Sequence, residues 1–399
     1  MKKIFILLGL FVLVNGRAEP AAAGQHWVGT WGTATQLTEP RNLPPPPSLT
    51  SNTLRQVVHV SIGGKKLRVH LSNAFGNGPL ALASVRLAVS AGGSVIKTET
   101  EKALTFSGRS SVTLPTGETI LSDVFDFDLA SRSDVAVTIY FHETPGDLTC
   151  HPGSRATSFL EAGDAMSAAG LPTAARTQHW YVLTGIDVLA ENSAAAVVTL
   201  GDSITDGRGS ETDKNNRWPD DLANRLQTNA GTRRVAVLNE GIGGNCVLHG
   251  GLGPTALARF DRDVLGQESA RWLIVLEGVN DIGGSRGTNS TVARDLIAAY
   301  QKFIDQAHTK NIRVYGATIL PFGGSQYGGA GHEAARQALN NWIRAGGKFD
   351  AVIDFDAALR DPQHPSKLLP AADSGDHLHP SVKGHQMMAD CVDLKLFEN

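Results

Sequence analysis

The sequence predicts two domains: a jelly-roll-like antiparallel β-sandwich, then a three-layer α/β/α domain on a parallel five-stranded sheet. Three observations carry this. Residues 25–190 consist of short alternating apolar and polar runs broken by Gly and Pro, the pattern of half-buried strands. From about residue 194, short apolar runs alternate with helical segments, the pattern of a parallel sheet covered on both faces. Finally, 399 residues with 41% hydrophobic content suit two packed cores better than one or none.

The elements follow in order. Met1-Lys2-Lys3, the apolar stretch Ile4 to Val14 and the small-residue site Gly16-Arg17-Ala18 have the layout of an export signal occupying residues 1–18, too short to cross a bilayer. The expectation is a secreted or periplasmic protein, of bacterial type given so short a basic start, with no stable insertion in the membrane. Within 25–190, Val58, Val60 and Ile62 alternate with polar residues, and so do Leu67, Val69 and Leu71 beyond Gly63-Gly64-Lys65-Lys66. This predicts a hairpin with a four-residue turn. Val135, Val137, Ile139 and Phe141 mark another half-buried strand. The second domain is expected over 194–399. Its strands fall at Ala195–Leu200, Val235–Leu238, Trp272–Leu276, Val314–Leu320 and Val352–Phe355. Helices are expected from Trp218, with Pro219 suited to the first turn, and over 256–265, 291–307, 333–345 and 382–393. Right-handed crossovers make three layers the economical arrangement.

Composition excludes several classes. The formal charge is −3 and charged residues are 19%, which argues against a nucleic-acid partner and against an anionic membrane surface. Cys150, Cys246 and Cys391 are too few and too spread for a disulfide framework or a zinc site; one pair among them is open to bridging. His332-Glu333 has no second His at metalloprotease spacing, so no catalytic metal is expected; the acyl transfer read below at Ser203 requires no cofactor. The oligomeric state is not written in the sequence.

Sites in open parallel sheets form beyond the carboxyl ends of the strands, so the segments there are the ones to read. They are Gly201-Asp202-Ser203-Ile204-Thr205, Gly241-Ile242-Gly243-Gly244-Asn245, Gly278-Val279-Asn280-Asp281 and, before the last helix, Asp376-His377-Leu378-His379. A serine hydroxyl needs a base to become a nucleophile. Ser203 is the candidate nucleophile, His379 the base and Asp376 the group that orients it. His377 is the rival base. The N–H groups of Ser203 and Gly244 and the amide of Asn280 are candidate donors to an oxyanion. Asp202 and Asp281 read as organisers of backbone.

Four such segments, in this order, resemble the SGNH/GDSL hydrolase family, through Ser203, Gly244, Asn280 and the Asp376/His379 pair. The resemblance spans residues 195 to 390. It implies an SGNH-hydrolase domain and a serine esterase acting on a small-molecule or polysaccharide ester. GTWGTA at 29–34, VSIGG at 60–64 and LSNAFG at 71–76 are similar to a secreted subgroup whose β-sandwich precedes the hydrolase domain and which includes enzymes resembling acetyl-xylan esterases. An O-acetyl carbohydrate ester is therefore the first expected substrate. A short-chain lipase, arylesterase or thioesterase is the alternative, and a carbohydrate-binding protein is a more distant one. Gly283-Gly284-Ser285-Arg286-Gly287 matches a nucleophile elbow in letters but lacks the preceding strand. Asn289-Ser290-Thr291 is a glycosylation sequon. Trp27, Trp31, Trp180 and Trp218 are offered either to the core or to sugar stacking.

Overall fold

The structure, a computed structural model, describes residues 24–285, 289–345 and 348–398. The expected leader at 1–18 and part of the Gly283–Gly287 match lie outside the described residues, as do the side chains of Asn289 and Ser290 in the sequon.

The parallel sheet of the second domain follows from its most apolar segment. Ala195–Gly201 is buried at every position, as a strand needs to be when helices cover both faces. It lies inside the sheet, whose order is Val235–Gly241, Ala195–Gly201, Ala270–Leu276, Arg313–Ala317, Ala351–Ile353, all pairs parallel. The chain therefore steps one way from the first strand and then reverses. Right-handed crossovers put Trp218–Thr228 on one face and the helices of the later crossovers on the other. Val382–Cys391 packs with Trp218–Thr228, and Asn289–Thr309 with Ala330–Arg344, which completes three layers. The reversal leaves the carboxyl ends of Ala195–Gly201 and Ala270–Leu276 side by side at a switch point, where clefts form in such sheets.

The first domain is antiparallel throughout its two main sheets. One contains Gln25–Gly32, Leu183–Glu191, Gly64–Ser72 and Phe125–Leu129; the other is built around Asn52–His59, Asp134–Glu143 and Leu80–Gly92. The expected hairpin is not formed. Asn52–His59 and Gly64–Ser72 lie in different sheets, with Asn52–His59 paired to Asp134–Glu143 and Gly64–Ser72 to Leu183–Glu191. Between them the chain crosses from sheet to sheet: Val60 N–H donates to Ser133 O at 3.0 Å and Ser61 N–H to Thr30 O at 2.9 Å. The alternation identified the buried rows correctly, but two rows can share a core by facing each other as well as by lying side by side. Leu54 and Val58 from one sheet and Leu67, Val69 and Leu71 from the other belong to one apolar cluster. The four tryptophans serve structure: Trp31, Trp180 and Trp218 are buried, and Trp27 lies under the Arg68 guanidinium at 4.5 Å.

That cluster runs on into the second domain. Gln25–Gly32 lies against Val235–Gly241, the edge strand of the parallel sheet, and Thr33 bridges to Asn239. Gly29 lets the two strands lie close: an added Cβ would sit 2.9 Å from Leu238 Cδ1 and push that side chain aside. Arg68, held by Asp187 at 2.7 Å, also reaches Glu268 at 2.7 Å, and Ser269 Oγ donates to Trp27 O at 2.6 Å.

Candidate active site

Strand Ala195–Gly201 ends in a tight turn. Asp202 caps a one-turn helix, Ser203–Asp206, by accepting from Ile204 N–H at 2.9 Å. Burial first, then the neighbouring Asp281, pushes the Asp202 carboxyl up to about 7 against that hydrogen bond. Ser203 opens the helix, so its N–H has no partner within it.

Ser203 Oγ lies 2.8 Å from His379 Nε2, and His379 Nδ1 lies 2.7 Å from Asp376 Oδ2. The second bond assigns the Nδ1–H tautomer, leaving Nε2 to accept the serine proton. Asp376 is fixed by the local loop, accepting from the N–H groups of Leu378 at 3.0 Å and His379 at 2.9 Å. Partial burial works to raise the Asp376 carboxyl, but these N–H groups, the imidazole and its charge outweigh it and hold the carboxyl at about 2. Burial lowers the His379 pKa, Asp376 opposes this, and the charges of Arg208 and Arg155 add to the lowering. The rival His377 points elsewhere: its Nδ1 meets Asp373 Oδ2 at 2.5 Å, and the side chain is half exposed.

Gly244 adopts φ +72°, a left-handed conformation natural to glycine. Its loop is held by two side chains. Asn245 donates to Leu252 O and Pro254 O at 2.7 and 2.8 Å. Asp281 accepts from Val247 N–H and Leu248 N–H at 2.8 and 2.9 Å. Asn280 is fixed at both ends of its amide: Nδ2 donates to Asn245 O at 2.8 Å, and Tyr327 O–H donates to Oδ1 at 3.0 Å. One Nδ2 hydrogen remains for a ligand. Arg259, fully buried, ties the floor together by donating to Gly201 O, Glu240 O and Asn245 Oδ1 at 3.1, 2.6 and 3.0 Å.

Ser203, Gly244, Asn280, Asp376 and His379 all line one open cleft of about 580 Å³. The first domain supplies a wall that sequence reasoning did not anticipate. His151, in the short strand Thr149–His151, donates from Nδ1 to Ala34 O at 2.7 Å and meets Asp206 Oδ1 through Nε2 at 3.0 Å. Both side chains of the pair are buried. Gly153 lets the wall approach: an added Cβ would lie 1.9 Å from Asp206 Oδ2. No pattern around His151 or Tyr327 announces these contacts, since each partner is far away in the chain. Cys150, Cys246 and Cys391 are free thiols. Burial pushes the Cys150 and Cys246 thiols up to about 12, so neither is a nucleophile at neutral pH.

Residues 199–387 match the GDSL-like Lipase/Acylhydrolase family. They form a GDSL-like acylhydrolase domain. The protein is accordingly a carboxylic ester hydrolase. Among solved structures, the chain is similar to a GDSL-like lipase from Bacteroides thetaiotaomicron VPI-5482, at 20% identity and TM-score 0.36 over 49% of this chain and 84% of that one. It is also similar to the acetyl xylan esterase AlAXEase, at 19% identity and TM-score 0.36 over 49% and 96% of the two chains. A family two carbohydrate esterase from Clostridium thermocellum, solved with cellohexaose, is similar over 87% of this chain and 93% of its own, at 12% identity and TM-score 0.38. No curated protein matches the chain. The GDSL-like domain places the Ser203 hydroxyl, the His379 imidazole and the Asp376 carboxylate in one hydrogen-bonded chain, in a cleft that Gly244 and Asn280 also line.

Proposed function

We propose that the protein is a secreted serine esterase that works through an acyl-enzyme on Ser203, most readily on O-acetyl esters of carbohydrates. The observation that carries the mechanism is the continuous hydrogen-bonded chain Ser203–His379–Asp376 on the wall of the cleft. Ser203 Oγ attacks the ester carbonyl while Nε2 of His379 takes its proton. The oxyanion forms within reach of the Ser203 and Gly244 N–H groups and the free Asn280 hydrogen. His379 returns the proton to the departing alcohol, then activates water to release the acid and restore Ser203.

The lining favours a short acyl group and a polar alcohol. Gln36, Asn42, Arg155, Arg208 and Gln326 line the cleft, and its apolar side chains are few, chiefly Leu252, Leu378 and Tyr327. A long acyl chain would find little apolar wall there. Secretion rests on the leader read at 1–18; the amino terminus of the protein recovered outside expressing cells tests it. Hydrolysis of p-nitrophenyl acetate by the wild type and Ser203→Ala tests the mechanism, with both being inactive, or equally active, as the refuting results. Faster acetate release from acetylated xylan than fatty-acid release from long-chain triglyceride is the expected substrate preference; the reverse order favours a lipase.

A further inference from the structure

On the reading that Ser203 is the nucleophile, we propose that Arg155, carried by the first domain, is a carboxylate-recognition residue of the cleft. The preferred ester then bears an anionic carboxylate close to the bond that is cut.

The segment that carries Arg155 is stapled to the GDSL-like domain on both sides. Before it, His151 meets Asp206 at 3.0 Å. After it, Thr157 donates its N–H and its hydroxyl to the two carboxylate oxygens of Asp213, each at 2.6 Å. Asp213 N–H in turn donates to Arg155 O at 2.9 Å. Between the staples Arg155 is held at φ +49°, a left-handed conformation that is uncommon for a residue with a Cβ and persists only where its surroundings impose it. Such strain at the wall of a cleft points to a positioned side chain.

Among the described residues, no hydrogen bond or ion pair of the guanidinium explains that position. Its Nε is buried without a hydrogen-bond acceptor among the described residues. The acids of the cleft are engaged elsewhere: Glu39 with Arg41 and Asn42 at 2.8 and 2.9 Å, Asp206 with His151, and Asp376 with His379. A buried donor without an acceptor is costly. A carboxylate matches the planar fork of a guanidinium with two parallel hydrogen bonds. The same negative charge would offset the Arg155 and Arg208 charges that oppose protonation of His379, a proton His379 must hold during acyl transfer.

The test compares matched pairs of esters. For a carboxylate on the acyl side, the pair is mono-p-nitrophenyl glutarate and its methyl ester. For the alcohol side, it is acetylated glucuronoxylan and the same polymer with its carboxyls reduced to alcohols. In at least one pair the wild type should favour the anionic member about tenfold in kcat/KM, and added salt should erode the preference. R155Q should bring that ratio close to one, and R155K should fall between. The proposal is overturned if the wild type shows no preference in either pair, or if R155Q leaves the preference intact. Each ratio is internal to one protein, so a loss of folded enzyme does not imitate the effect. Absence of any p-nitrophenyl acetate hydrolysis, or its survival in S203A, would instead refute the esterase reading itself.

Discussion

His379 is the residue through which pH acts on the site. Burial lowers its pKa, and Asp376 only partly restores it. The neutral imidazole is the form that accepts the serine proton, so kcat/KM for p-nitrophenyl acetate should climb with pH through a midpoint below about 6.5 and level off above it. A midpoint at or above the ordinary imidazole value would contradict this environment. Asp376→Asn should keep the fold and cost about 10⁴ in kcat, because the wrong tautomer would present N–H to Ser203. Asn280→Ala removes one donor to the oxyanion and should cost about 10²–10³ in kcat with little change in KM. A loss confined to KM would place Asn280 in ground-state binding instead.

At the scale of elements, the joints between segments carry the stability. His385, in the last helix, is fully buried. It accepts from Trp218 N–H at 3.3 Å and donates to Arg208 O at 3.2 Å, so it joins that helix to the start of Trp218–Thr228 and to the loop after Ser203. Burial depresses its pKa to about 4, with Arg217 and His379 adding to the depression and Arg208 O and Asp220 opposing it. The folded state therefore binds this proton less readily than the unfolded chain. The stability held above about pH 6.5 is lost as pH falls toward 4, by roughly 3 kcal/mol at about 1.36 kcal/mol per unit. Thermal melting from pH 7 to 4 should show a decline that His385→Gln flattens. Gly153 is a joint of another kind. Gly153→Ala would drive a methyl into Asp206, which His151 holds in place, and overpacking of this sort costs about 1–3 kcal/mol. A melting temperature equal to the wild type's would show that the wall can retreat.

The first domain is a structural partner of the second at the scale of the whole molecule, since one apolar cluster spans both and the cleft has residues of both in its walls. Calorimetry of the full chain should give one cooperative transition. Removing residues 27–190 should leave an insoluble or unfolded product; a soluble fragment with full activity on small esters would disprove the shared core. Much of this organisation was legible in the residues themselves. The strand and helix periods, the glycine-marked turns beyond the strands and the spacing of Asp376 and His379 are local, dictated by a few neighbouring residues. Alternation likewise showed which side of each strand is buried. It could not show that Asn52–His59 and Gly64–Ser72 face each other across a core, because pairing partners are chosen by the whole set of strands. The same holds for His151 against Asp206, Tyr327 against Asn280 and Arg155 above the cleft: each depends on chain brought in from far away, where no local pattern constrains the approach. Local chemistry thus determined what the site can do, and packing between the domains decided how its wall is charged.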